Sequence, residues 1–199
     1  MITRLCLICL LLGLMACKSK PDSNKKDSSQ VATPKPREEA PFKKDTTIAG
    51  YRISVSSRGN AGMRNMIVSF GSAKDTTHAD SIIERDIKGA PQRLMAADLD
   101  NDGIPEIYCY TLSAGTGSYG SIYAFTYIDN HIFRINTTAL DSMERPEYNG
   151  KDSFYIRGNK LVRTFPVTPE GRSTAVKAEK HETIEYGLRG GRLSSGLKD

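Results

Sequence analysis

The sequence predicts an all-β chain, an antiparallel β-sandwich or barrel-like domain behind a disordered tether. Three observations carry this. Apolar residues alternate with polar ones along short stretches such as Tyr51-Ile53-Val55 and Met66-Val68-Phe70, the period of a half-buried strand. Turn residues punctuate these stretches at short intervals. No segment sustains the 3.6-residue period of an amphipathic helix, and no internal repeat is evident that would indicate a propeller or solenoid.

Taken in order, the chain opens with a positive residue, Arg4, and an apolar run from Leu5 to Met15. The run is shorter than the roughly 20 residues that span a bilayer and has the shape of a secretory signal peptide. Leu14-Met15-Ala16-Cys17 resembles the bacterial lipobox, in which the cysteine is lipidated and becomes the first residue. Each buried methylene of an acyl chain contributes about 0.8 kcal/mol, so two or three chains give a firm membrane anchor through Cys17. Position 18 is lysine, not the aspartate that favours inner-membrane retention in enterobacterial lipoproteins. An outer-membrane lipoprotein facing the periplasm is therefore expected. From Lys18 to Asp45 the chain is Lys, Asp, Ser and Pro with little apolar content. Such a stretch cannot offset its chain entropy by burial, and as a flexible tether it separates its ends by roughly 30 Å.

The strand pattern begins near Thr46. Strands are expected around Tyr51–Val55, Met66–Phe70, Ser81–Lys88, Pro91–Ala97, Ile104–Leu112, Ser121–Ile128 and His131–Asn136, with Asp129-Asn130 as a tight turn. Thr138 to Gly150 allows a short helical turn, broken at Pro146. Phe154–Arg157 and Leu161–Phe165, joined at Gly158-Asn159, read as a hairpin. Ile184, Tyr186 and Leu188 alternate on a late strand, and Gly190-Gly191 turns the chain back to Leu193.

Composition narrows the function. The net charge of +5 gives a mild attraction to acidic surfaces and does not indicate nucleic acid. Three of the 4 cysteines fall within the first 17 residues. Only Cys109 remains in the body, so neither an internal disulfide nor a multi-thiolate zinc site is available. The three histidines are widely separated, and no acid–base or nucleophile constellation is visible. The chain is read as a non-enzyme.

Two loops stand out. In Asp98-Leu-Asp100-Asn-Asp102-Gly103, carboxylates at every second position can converge on one centre, and the glycine permits a sharp bend. Hard cations such as Ca2+ take six to eight oxygens from loops of this kind. The pattern is the first half of an EF-hand loop, but the twelfth position is Cys109 rather than glutamate, and the flanks read as strands. Glu106, at position nine, is the substitute ligand. Asp98, Asp100, Asp102 and Glu106 thus form a candidate Ca2+ site, and a polar turn held by Asx hydrogen bonds stays open as the alternative. The second loop, Ser113 to Ser121, packs glycines among Thr116, Ser118 and Tyr119. It lacks the lysine and following helix of a phosphate loop. A plain flexible loop and a protruding recognition loop both remain; in the second, glycines let the backbone enter a cleft and hydroxyls donate to carboxylates.

Asp-Leu-Asp-Asn-Asp-Gly-Ile-Pro-Glu-Ile-Tyr followed by Ser-Ala-Gly-Thr-Gly-Ser-Tyr-Gly-Ser resembles the bacterial periplasmic inhibitors of I-type (invertebrate) lysozyme. Leu161–Pro166 and Ile184–Leu188 are similar to that family's closing strands, so the resemblance covers about Asp98 to Leu193. It implies that residues 46–199 form a lysozyme-inhibitor-like β-sandwich; the apolar run, the lipobox and the polar stretch place a signal peptide over 1–16 and a lipidated, disordered linker over 17–45 before it. It implies further that the Gly115–Gly120 loop enters the enzyme's substrate cleft. In the family a Ser-Gly-x-Tyr motif hydrogen-bonds the catalytic carboxylates. Here Tyr119 matches the tyrosine, Gly117 the glycine, and Thr116 stands at the serine, keeping the hydroxyl and adding a methyl, with Ser118 a neighbouring donor. The resemblance also implies a homodimer. The rival expectation is a calcium-binding surface module without inhibitor activity.

Overall fold

The computed structural model describes residues 41–60, 63–75, 77–113, 117–141, 148, 150–167 and 180–196. Cys17, the predicted signal peptide and most of the predicted tether lie outside them.

The described residues form three successive antiparallel meanders of four strands each. The first comprises β1 (Phe42–Ile48), β2 (Tyr51–Asn60), β3 (Met63–Ser72) and β4 (Asp80–Glu84). The second comprises β5 (Ala90–Ala97), β6 (Glu106–Leu112), β7 (Gly120–Ile128) and β8 (His131–Arg134). A one-turn helix, α1 (Thr138–Asp141), precedes the third: β9 (Ser153–Arg157), β10 (Lys160–Val167), β11 (Lys180–Arg189) and β12 (Arg192–Ser195). The all-β antiparallel expectation holds. No barrel closes among the described strands, because each sheet has its own order and its own edges. β1 already starts at Phe42, so the last residues of the stretch expected to be linker are strand, paired along β2 from Phe42↔Ser57 to Ile48↔Tyr51.

Side-chain parity on the second sheet explains how the meanders stack. Ile107 and Cys109 on β6, with Phe125 and Tyr127 on β7, join a core with Ile53, Val55, Met66, Val68 and Phe70 of the first sheet. The intervening residues Tyr108, Ile122 and Ala124 join a second core with Phe154, Leu161, Tyr186, Leu188 and Leu193 of the third. The second sheet is therefore the middle layer of three, buried on both faces. A strand in that position has no polar face to present, and Ile-Tyr-Cys-Tyr-Thr-Leu reads as a nearly unbroken apolar run for this reason. Aromatic packing fixes the first interface: Phe70 and Tyr127 stack with centroids 4.5 Å apart, and Tyr51 leans on Phe70 at 5.1 Å.

Local chemistry sets the reversals. Asp129 and Asn130 both take positive φ, 50° and 66°, as a two-residue hairpin between right-twisted strands requires. Gly190 and Gly191 do the same at 56° and 70°. At α1 the Asn136 side chain accepts from the Thr138 N–H at 3.0 Å, satisfying an otherwise orphaned helix-start donor. The helix reaches only Asp141, and residues 142–147 lie outside the described set. It carries Leu140 into the second core.

Candidate functional site

Strand β6 carries a candidate loop at each end. The glycine-hydroxyl loop joins its C-terminal end to β7, and the acidic loop joins β5 to its N-terminal end.

In the glycine-hydroxyl loop, Gly117, Ser118 and Tyr119 are described, whereas Thr116 lies outside the described residues. The neck is closed by reciprocal bonds: Ser113 N–H donates to the Tyr119 carbonyl at 2.9 Å, and Tyr119 N–H donates to Ser113 Oγ at 2.9 Å. Lys151 N–H donates to the carbonyls of Gly117 and Ser118, both at 3.1 Å. Ser118 sits at φ 46°, a left-handed conformation that costs a non-glycine residue energy and persists only where its surroundings hold it. A Cβ at Gly117 would overlap the Tyr119 ring, and one at Gly150 would overlap the Gly117 carbonyl. The tight packing of this backbone thus specifies glycine at both positions. Tyr119 itself remains 48% exposed, with its ring edge-on to Tyr148 at 5.8 Å.

Beneath this loop lies a network that the sequence reading did not identify. Arg163 on β10 and Asp152, just before β9, form an ion pair at 2.6 Å with side-chain exposures of 3% and 0%. The other Asp152 oxygen accepts from Gly120 N–H at 2.9 Å and from the Tyr148 hydroxyl at 2.5 Å. Arg163 also donates to the Leu140 carbonyl at 2.7 Å and to the Tyr148 hydroxyl at 2.8 Å. Its guanidinium lies 5.2–5.7 Å from the ring centroids of Tyr148, Phe154 and Phe165. Burial works against the charge of Arg163, but the hydrogen bond and attraction of Asp152 outweigh it and hold its pKa above the usual arginine value. Burial, and then the hydrogen bond to Asp152, likewise raise the Tyr148 phenol. One signal in the sequence pointed here: Arg163 is in phase with Leu161 and Phe165 on β10, and an inward cation needs a buried counter-charge.

In the acidic loop the structure brings all four predicted residues together. Asp98, Asp100, Asp102 and Glu106 each offer a carboxylate oxygen, and these oxygens lie within 4.8 Å of one another. Asp98 accepts from the backbone N–H of Asp102 at 3.1 Å and of Gly103 at 2.8 Å. Asp102 accepts from Ile104 N–H at 2.7 Å, so Asx turns do shape the backbone. Glu106 is fully buried. Its Oε2 accepts from Leu99 N–H at 2.9 Å and from the Tyr108 hydroxyl at 3.3 Å, but its Oε1 is sealed from solvent without a hydrogen-bond partner. Burial pushes the Glu106 pKa up to about 7, and Asp100 and Asp102 add to the rise. Asp100 is raised too, by burial and then by its repulsion from Asp102.

Of the histidines, His78 pairs with Asp75 at 2.6 Å, His131 lies 3.7 Å from Asp80, and His181 faces Pro166 in the β10–β11 ladder. Cys109 is buried within the first core. No protein-family model, curated protein or solved structure matches the chain.

Proposed function

We propose that this chain is a lipid-anchored protein of the bacterial cell envelope that inhibits I-type lysozyme by inserting the Gly115–Gly120 loop into the substrate cleft. The supporting observation is a half-exposed tyrosine on a loop whose base is fastened to a buried ion pair. Glycoside-hydrolase clefts hold two carboxyl groups flanking the scissile bond, one of them protonated to act as the acid. The Tyr119 hydroxyl is a donor suited to such a carboxylate, Ser118 supplies a neighbouring hydroxyl, and Thr116 is the third hydroxyl residue of the loop's sequence. A loop held in one shape before binding loses little conformational entropy on association, and more of its contact energy appears as affinity. Attachment through Cys17 to the outer membrane would place the domain on the periplasmic side, beside the wall that lysozyme attacks. In this reading the protein performs no chemistry; it occupies the cleft and excludes the glycan.

The test is an inhibition assay on cell-wall substrate with I-type, chicken-type and goose-type lysozymes. The wild-type protein should suppress the I-type enzyme selectively. Tyr119→Phe removes one hydrogen bond to a charged group, about 1.5–3 kcal/mol, and should raise the inhibition constant roughly ten- to 150-fold. Ser54→Ala on β2 should leave it unchanged. If wild type and Tyr119→Phe inhibit equally, the cleft-plugging mechanism is wrong.

A further inference from the structure

The acidic loop has no part in the cleft plugging proposed above, and its chemistry points elsewhere. Three observations coincide there. Four carboxylates converge within 4.8 Å. One belongs to Glu106, which is wholly buried at the first position of a central strand. The Oε1 of that residue is shut away from water with no donor to meet it. A buried carboxylate oxygen without a partner costs free energy that a protein ordinarily removes by pairing. No arginine or lysine bonds to any of the four among the described residues. Backbone amides serve Asp98, Asp102 and the other Glu106 oxygen. A cation at the centre would satisfy the remaining oxygen and relieve the mutual repulsion at once.

We infer that Asp98, Asp100, Asp102 and Glu106 form a structural Ca2+ site that clamps the end of β5 to the start of β6. The donor set is oxygen throughout, which selects a hard cation and offers nothing to zinc or copper beyond carboxylates. Size then favours calcium over magnesium. Ligands on opposite sides of Ca2+ at 2.3–2.6 Å are about 5 Å apart, whereas those across Mg2+ are about 4 Å apart. The four oxygens lie within 4.8 Å of one another, which leaves room for ligands on opposite sides of the larger ion. Backbone carbonyls and water complete the six to eight oxygens that calcium takes.

The site is distinct from the inhibitory loop. Glu106 and Leu112 bound a strand of 7 residues, so the two loops are separated by roughly 20 Å of β6. The cation therefore acts on stability, and its effect is separable from inhibition of lysozyme.

The test uses the full-length protein in detergent, stripped of metal by chelation, with calorimetric titration and thermal melting in CaCl2, MgCl2 and NaCl of matched ionic strength. Calcium should bind saturably at one site per chain. At a hundredfold excess over the dissociation constant it should raise Tm by roughly 5–10 °C, with magnesium giving a markedly smaller shift and NaCl almost none. Terbium provides a second readout. The chain has no tryptophan, and the Tyr108 hydroxyl lies 3.3 Å from Glu106 Oε2, so a Tb3+ ion at the site should show tyrosine-sensitised luminescence that calcium quenches by displacement. Asp100→Asn changes an exposed residue and should fold. It should raise Tm of the metal-free protein slightly by relieving repulsion, while weakening calcium binding at least tenfold. Glu106→Gln should abolish the calcium-dependent shift. No saturable calcium binding up to ~10 mM, or an Asp100→Asn protein that binds calcium as tightly as wild type, would overturn the assignment; so would equal shifts from calcium and magnesium.

Discussion

Replacing Asp152 with asparagine tests whether the glycine-hydroxyl loop, and the inhibition proposed for it, depend on the buried pair below it. The substitution keeps the shape of the side chain and removes its charge. Arg163 then remains 3% exposed with no counter-ion, and breaking a buried pair in this way costs about 3–5 kcal/mol. For a domain of this size each kcal/mol lowers Tm by about 2–4 °C, so a fall of roughly 10 °C is expected. The protein should stay folded at 20 °C, where inhibition can be measured. Gly120 N–H and the Tyr148 hydroxyl lose their charged acceptor, and the loop must then be ordered during binding. Fixing two backbone residues costs about 2–4 kcal/mol, which corresponds to a rise in the inhibition constant of roughly thirtyfold or more. Ile53→Ala, in the buried first core, should cost a similar about 2–5 kcal/mol and leave inhibition intact. The double variant Asp152→Leu, Arg163→Met separates the effects further. Exchanging a buried pair for apolar side chains is often neutral or stabilising, so Tm should recover while inhibition stays weakened. An Asp152→Asn protein that inhibits like wild type, or an Ile53→Ala protein equally impaired, would refute the reasoning.

Other outcomes follow from the same structure. In metal-free protein burial holds the folded pKa of Glu106 at about 7, above the ordinary glutamate value of 4.5. The folded state then binds the extra proton, so this contribution is complete below pH 4.5 and is lost as pH rises towards 7. Denaturant melts in EDTA should show up to about 3 kcal/mol less stability at pH 8 than at pH 4.5 from this residue, a difference that Glu106→Gln removes. Gly150→Ala places a side chain at φ 77° and against the Gly117 carbonyl; it should lower Tm and weaken inhibition together, as read by melting and cell-wall assay. Burial pushes the Cys109 thiol up to about 12, so a maleimide should leave native Cys109 unmodified at pH 8 and label it fully in denaturant, as peptide mass mapping would detect.

The fold was legible where a strand has one wet face and obscure where it has none. Tyr51, Ile53 and Val55 alternate cleanly because β2 covers one side of an outer sheet, and the turns at Asp129-Asn130 and Gly190-Gly191 announce themselves by residue type. The middle sheet gives no such alternation, and its apolar run alone cannot distinguish a two-layer sandwich from three layers. That distinction depends on which distant strands cover each face, and neighbouring residues carry little of it. The threefold recurrence of the four-strand meander was hidden for a related reason. Each layer meets different surroundings, so its topology repeats without its sequence repeating.

The two candidate sites divide along the same line. Asp98, Asp100, Asp102 and Glu106 lie within nine residues, and their convergence follows from local turn chemistry, so spacing alone indicated it. The anchor of the glycine-hydroxyl loop is nonlocal: Asp152 meets Gly120 across 32 residues, and Tyr148 and Arg163 reach Asp152 from opposite directions along the chain. What the sequence left obscure is the part that fastens the described end of the loop, Gly117 to Gly120. The glycines beside Tyr119, taken alone, describe a flexible segment, since glycine increases the number of accessible backbone states. In the folded domain the same glycines allow the opposite result, because only a residue without a side chain lets the backbone pack against Asp152, Lys151 and the tyrosine ring closely enough to be pinned. The close packing at Gly117 and Gly120 therefore comes from the contacts that glycine permits, and the sequence discloses it only through the inward-facing arginine on β10.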